Sequence, residues 1–261
     1  LNSALIAVVM PLKKVNSGIG FWANTEQNNL FEQTSSFSLQ YAYQLSVGDG
    51  RLGIGASAIL KMFKFDFSKA IYPNGLEGSA GSDDLISKLD GQKQTAIGAG
   101  LGVNYQINDL SFGVSALNIN SPKLKTSDAK LKYFVPHLYV FAGYTYNSPN
   151  PMFAILPSLQ YKAALGSPLT LSSSQLNINT IIEYNKFLLL GASYCTNNDL
   201  SVIGGFTIKD GSKLDGLRFV ASLDFITSKN PGWANLEVTV GYNFNMAIEK
   251  TTKTYKSVRF L

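Results

Sequence analysis

The sequence predicts an all-β fold: a transmembrane antiparallel up-and-down β-barrel of about 14 strands, with 13 visible from Leu1 onward and one more expected upstream. Three observations predict it. Long segments alternate apolar and polar residues at a period of two, the side-chain period of a strand. Shorter and longer links alternate between the segments, as in barrels with short turns on one side of a membrane and longer loops on the other. The apolar face is rich in Tyr, Phe and Leu, whereas the opposite face is Gly, Ser, Asn and Gln. That distribution suits a sheet whose outside meets hydrocarbon and whose closure satisfies every backbone group. A soluble β-sandwich would alternate as well; strand length and turn rhythm favour the barrel.

The clearest stretch is Asn235–Met246. Leu236, Val238, Val240, Tyr242, Phe244 and Met246 fall on one face, and Asn235, Glu237, Thr239, Gly241, Asn243 and Asn245 on the other. This run exceeds an ordinary strand and suits a tilted strand crossing a bilayer, which needs about 9–11 residues. Tyr242 and Phe244 are expected at a membrane–water interface, within an aromatic girdle.

Composition narrows the class. Of 261 residues only 15% are charged, against about 25% in soluble domains. No apolar run approaches the roughly 18–20 residues of a membrane helix, which excludes helical spans but not strands. The net charge of +5 comes from dispersed Lys and Arg. No basic run is interleaved with aromatics, so no nucleic-acid partner is expected. The single cysteine, Cys195, has no internal disulfide partner. No signal peptide is visible and Leu1 is not an initiator Met, so the natural N-terminus is expected upstream.

In chain order, Ser3–Met10 is a strand apolar on both faces, and Pro11–Asn16 is a turn. Ser17–Asn24 sets Ile19, Phe21 and Ala23 against Gly18, Gly20 and Asn24, and Gln27–Gln33 is a polar loop. Ser36–Val47 alternates cleanly, Gly48-Asp49-Gly50 turns, and Arg51–Phe65 returns with Leu52, Ile54, Ala56, Ala58, Leu60 and Met62 on one side. Asp66–Gly91 is the longest loop. Gln94–Ile107 opposes Ile97, Leu101, Val103 and Tyr105 to a Gly-rich face. Asn108-Asp109 turns, Leu110–Ile119 returns, and Asn120–Lys132 reads as a second long loop. Tyr133–Asn147, Met152–Leu165, Ser174–Tyr184, Phe187–Cys195, Asp199–Lys209 and Gly216–Ile226 complete the strands before Asn235. The links Thr196–Asn198 and Asp210–Asp215 fit the rhythm poorly. Residues 1–247 are thus expected to form the barrel, and 248–261 a basic periplasmic C-terminal tail.

Several short motifs in order resemble the PorP/SprF family of type IX secretion system outer-membrane proteins, found in Bacteroidota. They are Pro11-Leu12 with Gly18-Ile19-Gly20-Phe21, Tyr41-Ala42-Tyr43 with Leu52-Gly53-Ile54-Gly55, and Gly98–Tyr105 with Phe112-Gly113-Val114-Ser115. Pro136-His137 with Ala142-Gly143-Tyr144, Leu156-Pro157-Ser158-Leu159, Gly191-Ala192-Ser193-Tyr194 and the closing Arg259-Phe260-Leu261 follow. The chain departs from the family where Cys195 follows Gly-Ala-Ser-Tyr in place of a frequent Arg, and where only Gly232 and Glu237 remain of a last-strand Gly-Ser-His-Glu-Ile motif. It resembles a divergent member. The resemblance implies a non-enzymatic outer-membrane component of secretion or gliding, with its termini in the periplasm. Its implied partners are type IX components of the outer membrane and periplasm, and cargo bearing a C-terminal sorting domain. The competing reading is a solute channel, a small porin or a hydrophobic-compound transporter.

Candidate sites follow from the alternation. The only histidine, His137, shares the face of Val135, Tyr139 and Thr145 and so points into the lumen. It lacks a G-x-S-x-G partner motif, so no catalytic residue is assigned. Lys61, Arg218, Asp224 and Glu237 are also expected in the lumen, where they pair across the interior or form a constriction. Tyr72, Leu85 and Ile86 in the longest loop are candidate partner contacts, as are Lys250, Lys253, Lys256 and Arg259 in the tail. Asp83, Asp84 and Asp90 do not match a calcium-loop spacing, and no cofactor or metal is expected.

Overall fold

The computed structural model describes residues 2–27, 32–66, 93–125, 130–132, 135–166, 174–196, 199–209, 211, 214–226 and 234–244. They form one antiparallel up-and-down sheet of 14 strands and a separate two-stranded hairpin. The sheet comprises β1 (Asn2–Leu12), β2 (Ser17–Gln27), β3 (Glu32–Val47), β4 (Gly50–Phe65), β5 (Lys93–Ile107) and β6 (Leu110–Leu117). The small hairpin, β7 (Lys123–Lys125) and β8 (Lys130–Lys132), interrupts the order. The sheet resumes with β9 (His137–Tyr144), β10 (Tyr146–Asn147), β11 (Phe153–Ala164), β12 (Ser174–Tyr184), β13 (Leu188–Cys195), β14 (Asp199–Thr207), β15 (Leu217–Ile226) and β16 (Asn235–Tyr242). Each lane pairs with its sequence neighbours.

β9 and β10 are two pieces of one lane, because both pair with β11 in the same register. That register sets Pro157 opposite Tyr144. Proline has no N–H to give the ladder, which accounts for the break at Thr145. The single strand expected over Tyr133–Asn147 is therefore divided, and the lanes number as the sequence predicts. A second difference lies in Asn120–Lys132, expected as loop, which contains the β7–β8 hairpin.

Turn chemistry fixes the tight links. Asn185 and Lys186 both hold positive φ, 51° and 50°, the left-handed geometry that a tight reversal uses. Phe187 N closes it by donating to Tyr184 O at 2.9 Å. The link at Gly48 has φ 58°, a left-handed geometry that glycine adopts without a Cβ penalty. The two links that fitted poorly are explained by direction. Thr196–Asn198 is a short link at the end otherwise occupied by long ones, and 208–216 is a long link at the short-link end.

The register carries one face across the sheet. Gly20, Gln40, Ser57, Gly100, Leu117 and His137 form one continuous row. The neighbouring rows belong to the other face, where Phe21, Leu39, Leu101, Val114 and Val140 are exposed. At the short-link end that face is fringed by aromatics. Tyr105 and Phe112 lie 5.6 Å apart, Phe153 and Tyr184 5.0 Å, Phe206 and Phe219 5.2 Å, and Tyr242 and Phe244 4.5 Å. No helix among the described residues is long and apolar enough to cross a membrane.

The sheet is not closed. Among the described residues no pairing joins β1 to β16, and both strands are exposed on both faces. They also run in the same direction, both toward the short-link end. A direct seam between them would be parallel; one strand of opposite direction would keep the sheet antiparallel throughout.

Candidate functional site: the polar face of the sheet

The polar face is where this fold gathers its chemistry. At the long-link end it is packed. Ile59 and Phe63 of β4 are 3% and 2% exposed, and they sit among Thr34, Ser36, Ser38, Gln94, Ala96 and Asn118, all buried. These two apolar residues on a polar face were not singled out by the alternation. Their register gave a hint, since both fall out of phase with Leu60 and Met62. The glycines of β5 make the packing possible. A Cβ at Gly98 would lie 2.5 Å from Asn118 Oδ1, and one at Gly100 would run into Ser57 Oγ.

Toward the short-link end the same face opens into a hollow of about 560 Å³. Its floor is made of small residues, Ala42, Gly53, Gly55, Gly102 and Gly113, and its side by Tyr139 and Phe141 of β9. Gln44, Asn104 and Gln160 supply amides. The hollow is apolar with a few convergent polar groups, the usual character of a binding cavity. Lys162 Nζ stands 5.9 Å from the centre of the Tyr139 ring, a cation–π approach.

Hydrogen bonds link β11, β12 and β13 across this face. Asn177 Nδ2 donates to Gln160 Oε1 at 3.4 Å, Asn179 Nδ2 to Ser158 Oγ at 3.4 Å, and Gln175 Nε2 to Asn177 Oδ1 at 3.0 Å. Cys195 is buried beside this ladder, 2.9 Å from Gln175 Nε2.

Register places Lys61 with Ser36, His137 with Leu117, Arg218 with Thr207, Asp224 with Ser201 and Glu237 with Ser222, each on the polar face. Asp224 and Glu237 are diagonal neighbours on the paired strands β15 and β16. Arg218 reaches Glu183 of β12, with Nη2 at 2.8 Å from Oε1, while its Nε donates to Thr207 Oγ1 at 3.1 Å. His137 Nδ1 lies 2.8 Å from the Val135 carbonyl oxygen, a local contact that positions the ring. Among the described residues no group of His, Cys, Asp and Glu is arranged to hold a metal. Tyr72, Leu85, Ile86, Lys250, Lys253, Lys256 and Arg259 lie outside the described residues.

The Arg218–Glu183 pair is half-exposed, so its energetic role is small. Replacing Glu183 with Gln is expected to lower stability by about 0.2–1 kcal/mol. Urea titration in lipid vesicles checks this, and the loss should shrink further at high salt.

A strand-built sheet with an exposed apolar face, an aromatic fringe and a polar reverse face defines a β-stranded membrane protein. Residues 1–256 match the family model described as type IX secretion system membrane protein PorP/SprF. The chain belongs to that family, a family of secretion-system membrane components and not of enzymes. A member of this build fits the outer membrane. Comparison with curated proteins finds no match.

Proposed function

We propose that this chain is an outer-membrane barrel of the type IX secretion machinery, engaging exported cargo or partner proteins through its long links and its basic tail. Family membership over nearly the whole chain is the observation that carries this reading. The barrel would close by one strand inserted between β1 and β16. Their shared direction supports an added antiparallel strand between them. Unpaired edges in hydrocarbon would otherwise leave backbone groups unsatisfied. The long links would face outward, and the short links and both termini the periplasm. Lys61, His137, Arg218, Asp224 and Glu237 would then line the lumen. Tyr72, Leu85 and Ile86 would serve the outer partner, and Lys250, Lys253, Lys256 and Arg259 the periplasmic one.

A solute channel is the second reading, favoured by the 560 Å³ hollow on the polar face. One experiment separates the two. The barrel is captured from native outer membranes by a tag in the 66–92 link, and the co-purifying proteins are identified by mass spectrometry. Secretion-system components or a protein with a C-terminal sorting domain should come with it. If the barrel emerges alone and the same sample gives steady conductance in planar bilayers, the channel reading replaces the secretion reading.

A further inference from the structure

The hollow on the polar face spans six strands, β3, β4, β5, β6, β9 and β11, and each of them is paired on both sides. The backbone there already serves the ladder, and no edge is open for an extended peptide to add to. A ligand in the hollow is met by side chains.

Those side chains are ordered by the register. Gln44, Gly53, Asn104, Gly113, Phe141 and Gln160 form one continuous row across the sheet. Glycines thus stand between Gln44 and Asn104 and again between Asn104 and Phe141. Gln44 and Asn104 lie two strands apart, a separation of about 10 Å. Among the described residues neither side-chain amide has a hydrogen-bond partner. Gln160 Oε1 accepts from Asn177 Nδ2 at 3.4 Å, which leaves its Nε2 to donate elsewhere. The neighbouring row brings Ser115 and the Tyr139 ring to the same hollow.

Charge is kept to the border. Among the described residues that line the hollow none is charged. Lys162 lies against the Tyr139 ring, His137 stands two residues before Tyr139, and Arg51 two residues before Gly53 on the short-link side.

We propose that the hollow binds a soluble, neutral oligosaccharide of pyranose rings. A sugar hydroxyl both donates and accepts, as a side-chain amide does. The C–H face of a pyranose carries partial positive charge and rests on the negative face of an aromatic ring, here Phe141 or Tyr139. A charged ligand would find no counter-charge in the lining, and a wholly apolar one would leave the amides unpaired. The hollow lies on the opposite side of the sheet from the exposed apolar face, so a soluble glycan is the occupant and a lipid-anchored one is not. Its volume of about 560 Å³ suits a small ligand. The inference stands on the hollow alone and goes beyond the secretion reading.

The test is isothermal titration of the full chain, held in a detergent without a sugar headgroup. The probes are the neutral trisaccharides maltotriose, cellotriose and laminaritriose, with trigalacturonate and triglycine as the charged and peptide competitors. At least one neutral trisaccharide should bind, and more tightly than either competitor. Asn104→Ala and Phe141→Ala should each weaken it about two- to tenfold. Gly53→Leu should abolish it by filling the hollow. A Cβ at Gly53 meets only the Asn104 carbonyl oxygen at 3.8 Å, an ordinary contact, so this variant should keep the fold. Heat-modifiable gel mobility checks that it does, and if it does not, the Asn104 and Phe141 variants decide. Gly241→Val, far from the hollow, should bind as the unmodified chain. Silence with all neutral trisaccharides, preference for trigalacturonate or triglycine, unchanged binding by folded Gly53→Leu, or unchanged binding by both alanine variants would overturn the proposal.

Discussion

Leu101→Arg should block assembly in a bilayer, whereas Gln40→Arg should be tolerated. Leu101 lies mid-strand on the apolar face of β5 and is 57% exposed. If that face meets hydrocarbon, an arginine there costs about 2–4 kcal/mol at the bilayer midplane, a loss of roughly 30-fold to several hundred-fold in the folded population. Gln40 sits at a similar depth on the polar face, in the row of Ser57 and Gly100. An arginine there would remain in water. A water-exposed apolar face predicts the opposite pattern for Leu101, since surface substitutions usually stay within about 0.5 kcal/mol. Urea titration of vesicle-inserted protein, followed by tryptophan fluorescence, distinguishes the two. Equal stability of both variants would remove hydrocarbon from the account.

Gly205→Val should be nearly as damaging, for a different reason. A Cβ at Gly205 would lie 2.5 Å from the Phe219 carbonyl oxygen and 3.0 Å from Val220 Cγ2. The nearer obstacle is backbone of the paired strand, so it cannot swing aside as a long side chain would. Relief requires β14 and β15 to separate, and overpacking of this kind costs about 1–3 kcal/mol or more. Gly241 on β16 is the control. A Cβ there meets nothing within 4 Å. Gly241→Val should be close to neutral, because valine suits a strand and nothing must shift. Heat-modifiable gel mobility of the two variants reports the folded fraction. Parallel losses at both positions would show that the tight approach at Gly205 does not decide stability.

How much of this was readable in the chain depended on whether one face had a distinct environment. In β16, and along most of β3 and β5, one face is apolar, so parity alone assigned the side chains there. By register Lys61, His137, Arg218, Asp224 and Glu237 lie on the polar face. In β1 both faces are apolar, and parity has nothing to distinguish. Only the pairing of Leu5 with Asn24 and Val9 with Gly20 shows which residues share the polar side. The β7–β8 hairpin escaped notice because three-residue strands are too short to display a period. The partner of Arg218 was equally hidden, since Glu183 reaches it across two intervening strands. Such a contact depends on the register of three ladders at once. Ile59 and Phe63 looked like breaks in an alternating strand, yet they form the most buried apolar pair on the polar face.

The central claim, that one face of this sheet meets lipid and the other water, is tested most directly by accessibility along a single strand. With Cys195 replaced by Ser, nitroxide labels are placed singly at Leu39, Gln40, Tyr41, Ala42, Tyr43 and Gln44 in vesicle-inserted protein. Leu39, Tyr41 and Tyr43 should collide preferentially with dissolved oxygen, which partitions into hydrocarbon. Gln40, Ala42 and Gln44 should collide preferentially with a water-soluble nickel chelate, giving a period of two. Uniform access of the nickel chelate to all six positions would contradict the account.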